Sequence, residues 1–278
     1  MVLENFLKSK SINSHSLLIC FLCFVYVFVA YLVSYYFFSG FLSLAILFTL
    51  TLMVVPSMNT ILALDEKTDI KSGIEHFLRN HKVVFKVYFF SFLGFFLGFL
   101  LLGSMFGYDD AFDYQLNLLK EQRGLSADLI EGFKNFEGSP NFDNFVGVFS
   151  TNLYVMLICF VLSLYFGAGA IFLITLNASV FAVFISYVID YASKSIVHGF
   201  SIFGVTLIYF IPEIGGFLLA AVAGGVLSRL IVTKDYTKTD AGKVMQNIFV
   251  KLCLGIFLIF IAALIEVYVS YDWMKMII

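Results

Sequence analysis

Charged side chains are scarce in this sequence. Asp, Glu, Lys and Arg make up 13% of its 278 residues, whereas 61% are hydrophobic. Soluble domains carry about 25% charged residues, and a water-soluble helix is polar over half its circumference. The composition therefore excludes a soluble protein and makes the lipid bilayer the first partner. The sequence also lacks a cluster of Lys and Arg, so nothing suggests nucleic acid.

Motifs for chemistry are missing as well. The four cysteines, Cys20, Cys23, Cys159 and Cys253, all lie within apolar runs, and nothing supplies the remaining ligands of a zinc shell of about four. A phosphate-binding loop, a nucleophile elbow and an HExxH motif are all absent. We therefore predict no catalytic residue, no metal and no cofactor, and a protein that is not an enzyme.

Long unbroken apolar runs are abundant, and they differ from the alternating segments of about ten residues that form membrane β-barrels. They predict an all-α transmembrane bundle of about seven spans. The predicted spans are residues 17–38, 41–64, 83–106, two within 152–191, 212–232 and 247–268. We divide the chain into an N-terminal hairpin with a cytoplasmic loop (1–82) and a five-span core (83–278).

Two parts of the core require a break in the helix. A single helix over residues 152–191 would be about 60 Å long, twice the thickness of the hydrocarbon. We expect it to fold back at Leu176-Asn177-Ala178-Ser179, where polar side chains satisfy the backbone. Residues 194–211 are too few to cross and return, which predicts a broken segment before Pro212 that is re-entrant, interfacial or external.

A hydrophilic loop is predicted at residues 107–151. It has eight acidic and three basic residues, and Phe112, Leu116 and Leu119 recur at helical spacing. A second amphipathic piece begins at Ser126, a plausible N-cap. We expect the two helices to form a small cap on the membrane surface.

Glu213 is the strongest single candidate for a functional residue. A carboxylate inside a span costs about 2.5–3.5 kcal/mol on insertion scales, so it normally faces the bundle interior. With Asn177, Tyr209 and His198 it defines a predicted intramembrane polar site. Two readings of Glu213 stay open: a structural carboxylate bonded to Asn177, Tyr209 or backbone N–H groups, and a site for a partner, an ion or a proton.

Glycines are the second group of candidates. Gly94 and Gly98 have the four-residue spacing that lets another helix approach closely. We expect the same packing role for the glycines of the later spans. They are Gly167, Gly169, Gly215, Gly216, Gly224 and Gly225.

The later spans resemble a known family. The segments that carry the resemblance are Phe166-Gly167-Ala168-Gly169-Ala170-Ile171-Phe172, Leu176-Asn177-Ala178-Ser179-Val180, Ile211-Pro212-Glu213, and Ala220 through Gly224-Gly225 to Ser228. Together they are similar to the stage II sporulation protein M family, particularly its archaeal members. The family's His-Gly just before the glutamate is replaced here by Tyr209-Phe210, and His198-Gly199 lies further upstream.

What the resemblance implies is a non-enzymatic scaffold in the cell membrane. In sporulating bacteria the family member anchors partners that remodel the cell wall, so we expect membrane or envelope proteins as partners, and a homo-oligomer is compatible with this role. The alternative is a permease-like subunit in which Glu213 and Asn177 line a substrate path. Transporters often contain an internal repeat, and none is convincing here.

The distribution of basic residues gives a first prediction, on orientation. Placing the N-terminus and the 65–86 and 229–251 segments in the cytoplasm puts 12 of the 17 Lys and Arg residues inside and the C-terminus outside. In a cysteine-free background, an impermeant thiol reagent should then modify Glu121→Cys in intact cells. It should modify Lys238→Cys only after permeabilisation. The reverse pattern would overturn the orientation.

Overall fold

The computed structural model describes residues 16–72, 82–107, 111–122, 140–166, 169–192, 196–233, 238–270 and 273. Within these ranges the regular structure is helical throughout, which confirms the all-α prediction. The helices are α1 (Ser16–Phe37), α2 (Leu42–Ser72), α3 (Lys82–Phe106), α4 (Asp113–Gln122), α5 (Phe142–Phe166), α6 (Gly169–Ala192), α7 (Ile196–Thr233) and α8 (Lys238–Leu264). A short 3₁₀ turn, Ser39–Phe41, precedes α2, and a π-helical segment, Ile265–Ser270, continues α8.

Seven of these helices correspond to the predicted spans. Five of them, α1, α3, α5, α7 and α8, contain stretches long and apolar enough to cross a membrane. The other two, α2 and α6, contain shorter apolar stretches, Leu42–Ser57 and Ile171–Ser186, within helices of 31 and 24 residues. The chain is therefore a membrane protein built as a helical bundle, as predicted.

The central helix of the bundle is α7. It packs most extensively against α8 and α5, and it also contacts α6 and α2. The other large contacts join α1 to α3 and α3 to α6. Helix α7 is consequently the most buried of the five long spans, whereas α5 is the least buried and leaves one apolar face uncovered.

The predicted loop at 107–151 begins where expected but ends about ten residues earlier, because the next span begins at Phe142. The backbone N–H of Asn144 donates to Oδ1 of Asn141 at 2.7 Å, so Asn141 caps a helix that begins at Phe142. At the other end, Gly107 has a φ of 81° and its N–H bonds the carbonyl of Gly103, which terminates α3. Helix α5 therefore crosses the bundle between residues 142 and 166. The amphipathic piece predicted from Ser126 lies outside the described residues.

The predicted fold-back at 176–179 is wrong, because α6 runs through it without a break. One of the polar residues that suggested a turn, Ser179, is satisfied inside the helix, where it donates to the carbonyl of Leu176 at 2.8 Å. The neighbouring Thr175 donates to the carbonyl of Phe172 in the same way. Helix α5 instead ends at Phe166 and α6 begins at Gly169. With 25 and 24 residues, each of the two helices is long enough to span the bundle.

The predicted break at 194–211 is also absent from the structure, since α7 is one helix of 38 residues that continues through Pro212. Proline inside a helix removes one backbone bond and costs about 3 kcal/mol. Aromatic packing offsets that cost. Phe203 contacts Phe96 of α3, and Phe210 contacts both Phe92 of α3 and Phe181 of α6. Packing against two neighbouring helices thus holds this segment in the bundle as a helix.

Helix α4 is docked into the bundle and not laid flat on its surface. Gln115 is 1% exposed and bridges two other helices. Its Oε1 accepts from the Ser43 hydroxyl of α2 at 2.5 Å, and its Nε2 donates to the Ser179 hydroxyl of α6 at 3.1 Å. Next to it, the buried ring of Phe112 meets Phe99 of α3 edge-on. The predicted cap is therefore attached to the interior of the bundle by the side-chain amide of Gln115 and the ring of Phe112.

A second prediction concerns this attachment. Gln115→Leu should lower the free energy of unfolding by about 1–3 kcal/mol, because it leaves buried hydroxyls of α2 and α6 without the amide. The matched control is Asn117→Leu on the same helix, since Asn117 is exposed and bonds only to the exposed Asp113. Thermal unfolding of the two variants in detergent measures the difference. Equal melting temperatures would show that the bridge contributes nothing to stability.

Candidate functional site

Glu213 lies inside the bundle. Its side chain is 5% exposed, and two other polar side chains of α7, Tyr209 and Thr206, are buried on the same face one and two turns earlier. The structure therefore brings Tyr209 and Glu213 together, as the sequence suggested, and adds Thr206 to them. Glu213 engages other groups of the protein in this position.

Asn177 lines a small cavity between α6 and its neighbours. It is half-buried in the middle of α6 and faces a cavity of about 10 Å³. The other residues lining this cavity are Phe92, Cys159, Leu173, Ile174, Ile214, Phe217, Leu218 and Ala221. Glu213 is not among the lining residues, although Phe217, one turn further along α7, is one of them. The cavity beside Asn177 is therefore apolar on the α7 side.

The remaining members of the predicted set are only partly described. His198 belongs to the first turn of α7, but its side chain lies outside the described part of the structure. Gly167 also lies outside the described residues, and Gly169 is the first residue of α6.

Two buried polar residues of α8 were missed by the sequence analysis. Asn247 and Lys251 lie one turn apart and both are 0% exposed, although the charge distribution places Lys251 in a cytoplasmic segment. The sequence spacing could have indicated these residues. Asn247, Lys251 and Gly255 recur every four residues and therefore share one helix face. An ammonium group inside a span normally faces the bundle interior and a polar partner. Lys251 interacts with other groups of the protein.

The backbones of α7 and α8 come into contact at one point. A Cβ placed on Gly216 would lie 2.9 Å from the carbonyl oxygen of Gly255, and one placed on Gly255 would lie 3.2 Å from that of Gly216. Next to this contact, Ile259 of α8 packs against Gly216, and Met156 of α5 packs against Gly255. Glycine at both positions is what permits this approach, because any side chain there would displace a backbone.

Other predicted glycines also lie at helix contacts. Cβ atoms on Gly94 and Gly98 would collide with Cys20 and Val27 of α1, and one on Gly224 would collide with the Phe160 carbonyl of α5. A Cβ on Gly215 would be 3.1 Å from Leu258 of α8, and Gly225 is buried. Five predicted glycines, Gly94, Gly98, Gly215, Gly216 and Gly224, thus lie at the α1–α3, α5–α7 and α7–α8 interfaces.

The family model for stage II sporulation protein M matches residues 87–271, two thirds of the chain. The chain belongs to the stage II sporulation protein M family. No curated protein and no solved structure matches it.

The part that matches the family covers α3 to α8, and the N-terminal hairpin α1–α2 precedes it. The structure nevertheless packs this hairpin tightly against the family region. Helix α1 lies against the glycines of α3, and the Thr51 hydroxyl of α2 lies 3.4 Å from that of Thr175 in α6. The hairpin is therefore part of the same bundle as the stage II sporulation protein M region.

A third prediction tests the glycine contacts. Gly224→Leu should lower the free energy of unfolding by about 1–3 kcal/mol or more, because overpacking forces α5 and α7 apart. Gly147→Leu is the matched control, since Gly147 is exposed on α5 and a Cβ placed on it would have nothing within 4 Å. Thermal unfolding in detergent measures both. If Gly224→Leu and the wild type have the same melting temperature, the contact with α5 is not important for stability.

Proposed function

We propose that this protein is a non-enzymatic scaffold of the cell membrane that anchors and organises an envelope-associated complex. Its N-terminus would lie in the cytoplasm and its C-terminus outside, in keeping with the distribution of basic residues. Membership of the stage II sporulation protein M family supports a membrane role. The choice between a scaffold and a permease depends on the interior of the bundle.

The observation that carries the proposal is the cavity at Asn177. A permease that used Asn177 and Glu213 would need room for a substrate between α6 and α7. The cavity there measures about 10 Å³ and its walls are almost wholly apolar. A single water molecule needs about 10–15 Å³ and two or more polar partners. The space beside Asn177 therefore suits packing and not the passage of a solute.

The contacts between helices also favour a rigid anchor. Backbones touch at Gly216 and Gly255, and hydroxyl pairs join neighbouring helices at Ser34–Thr49 and Thr51–Thr175. Helix pairs locked by small residues and hydrogen bonds resist the sliding that alternating access requires. A bundle of this kind can instead present fixed surfaces to its partners.

Two surfaces are available for partners. On α5, Tyr154, Leu157 and Val161 share one face and are exposed, which suits either lipid or the transmembrane helix of another protein. On α4, Asp113 and Asn117 are exposed, and they belong to the 107–151 segment, which has eight acidic residues in the sequence. Membrane or envelope proteins, or further copies of this chain, are the partners that these surfaces would accept.

A fourth prediction tests the scaffold in native membranes. A photo-crosslinking amino acid is placed at Leu157 on α5 or at Asn117 on α4, both exposed, and at Met156 as the control, which is buried next to Leu157. We expect one recurrent protein adduct from an exposed position and none from Met156. An ATP-hydrolysing subunit as the recurrent adduct would favour the permease. Adducts with lipid alone at both exposed positions would contradict the scaffold.

A further inference from the structure

An exposed aromatic surface lies at the turn between α1 and α2, over residues 35–41, which we call the hairpin tip. Five aromatic side chains there are more than half exposed, namely Tyr35, Tyr36, Phe37, Phe38 and Phe41. The sequence contains no Asp, Glu, Lys or Arg from residue 11 to residue 64. The side chains of the tip are therefore apolar, apart from two tyrosine hydroxyls and the hydroxyl of Ser39.

The rings of the hairpin tip continue onto the end of α3. The buried ring of Tyr31 stacks on Phe106 with centroids 4.7 Å apart and on Tyr35 with centroids 5.9 Å apart. Tyr35 in turn meets the ring of Tyr36 edge-on. Phe106 is the last residue of α3 and is 54% exposed. The ends of α1 and α3 therefore lie side by side and form one aromatic surface.

The backbone of the turn forms hydrogen bonds within the chain. The N–H of Phe38 donates to the carbonyl of Ser34 at 2.8 Å, and the N–H of Phe41 donates to the carbonyl of Phe38 at 3.0 Å. The 3₁₀ turn at residues 39–41 then leads directly into α2. Non-helical backbone lies at membrane depth only where its polar groups are satisfied. These two donors of the turn do not need water.

The length of α1 places the hairpin tip at a boundary of the hydrocarbon. Residues 13–16, Asn-Ser-His-Ser, are polar, and the apolar run begins at Leu17. Helix α1 has 22 residues and is about 33 Å long, whereas the hydrocarbon is about 30 Å thick. When its polar start lies at one interface, its end therefore lies at the other. Tyrosine is enriched at this level of membrane proteins, because its ring is apolar and its hydroxyl is polar.

We infer that the hairpin tip is an interfacial anchor, which holds the α1–α3 side of the bundle at the headgroup level of one leaflet. Its partner is the lipid surface. The phenylalanine rings lie against the ends of the acyl chains nearest the headgroups, and the hydroxyls of Tyr35 and Tyr36 bond to headgroups or interfacial water. The orientation proposed above makes this the outer leaflet. The anchor goes beyond the scaffold role and does not depend on it.

The composition of the hairpin tip favours lipid over a protein partner in water. Interfaces between soluble proteins have a polar rim around their apolar centre. The hairpin offers no charged side chain for such a rim, since residues 11–64 contain none. Apolar rings next to hydroxyls are the combination that the membrane interface accommodates.

A fifth prediction tests the depth of the hairpin tip by tryptophan fluorescence. The single tryptophan is removed by Trp273→Phe, and one probe is introduced as Tyr36→Trp or Phe41→Trp. The full chain is reconstituted into phosphatidylcholine vesicles that contain lipids with a nitroxide either near the headgroup or near the end of an acyl chain. Quenching of both probes should be several-fold stronger with the nitroxide near the headgroup.

The matched control is Phe48→Trp in the same background. Phe48 is 57% exposed on α2 and follows Phe41 by seven residues, which is about 10 Å along the helix. This probe should be quenched more strongly by the nitroxide near the end of the acyl chain. All variants are compared at equal recovery of folded protein by size exclusion.

Three results would overturn the anchor. Stronger quenching of Tyr36→Trp and Phe41→Trp by the deep nitroxide would place the tip inside the hydrocarbon. Quenching by aqueous iodide, without quenching by either lipid, would place the tip in water. Protection from iodide and from both lipids would show that protein covers the tip, including a second copy of this chain.

A second measurement tests the tyrosine hydroxyls. With the probe at Phe41→Trp, the double substitution Tyr35→Leu and Tyr36→Leu keeps an apolar surface but removes both hydroxyls. The probe should then lie deeper, so the ratio of shallow to deep quenching should fall several-fold. Tyr154→Leu, which removes a tyrosine of α5 that is 65% exposed, should leave the ratio unchanged. An unchanged ratio in the double variant would contradict anchoring by the hydroxyls. Partner capture is scored separately, so failure here leaves the scaffold proposal standing.

Discussion

Close contact between the backbones of α7 and α8 is the constraint on which the rest of the bundle depends. Lipid tails are as apolar as the side chains they surround, so helices in a membrane associate through packing and hydrogen bonds. At Gly216 and Gly255 the absence of side chains lets the two main chains meet, and Met156 of α5 packs beside them. Helix α7 then makes a second such contact with α5 at Gly224. The two contacts fix α5, α7 and α8 in register with one another.

A different interaction attaches the remaining helices. Hydroxyl and amide groups join α2 to α1, α4 and α6, through Thr49, Ser43 and Thr51 respectively. These bonds are individually modest in membranes, at about 0.6 kcal/mol on average. They are directional, however, and set the rotation of each helix about its axis. The N-terminal hairpin is thereby oriented against the family core and not merely tethered to it.

The sequence was sufficient for the fold class and most spans, because apolar runs and backbone satisfaction in lipid leave few alternatives to a helix. It failed where polar residues could serve either a turn or a helix. The sequence pattern indicates a turn at Ser179, but its hydroxyl bonds within α6 and accepts from Gln115. The start of α5 was readable in principle, since Asn141 is a strong N-cap residue.

The candidate functional site, like the fold, could be predicted only in part from the sequence. The sequence singled out Glu213 and Tyr209, because an ionisable residue in an apolar run stands out in a linear reading. It grouped Asn177 with them, and only the packing of α6 reveals that Asn177 lines a small apolar cavity of which Glu213 is not a lining residue. Lys251 was missed because positive charges near span ends are normally cytoplasmic. Its burial depends on how α8 packs in three dimensions, which no local pattern encodes.

The buried charges bear on what the bundle does. A carboxylate and an ammonium group placed inside a span each cost about 2.5–3.5 kcal/mol on insertion scales. Apolar replacements of similar volume often stabilise a protein as well as a buried ion pair does. Glu213 and Lys251 are nevertheless buried, and both interact with other groups of the protein. The bundle therefore offsets the cost of these two residues through specific interactions and not through exposure to water.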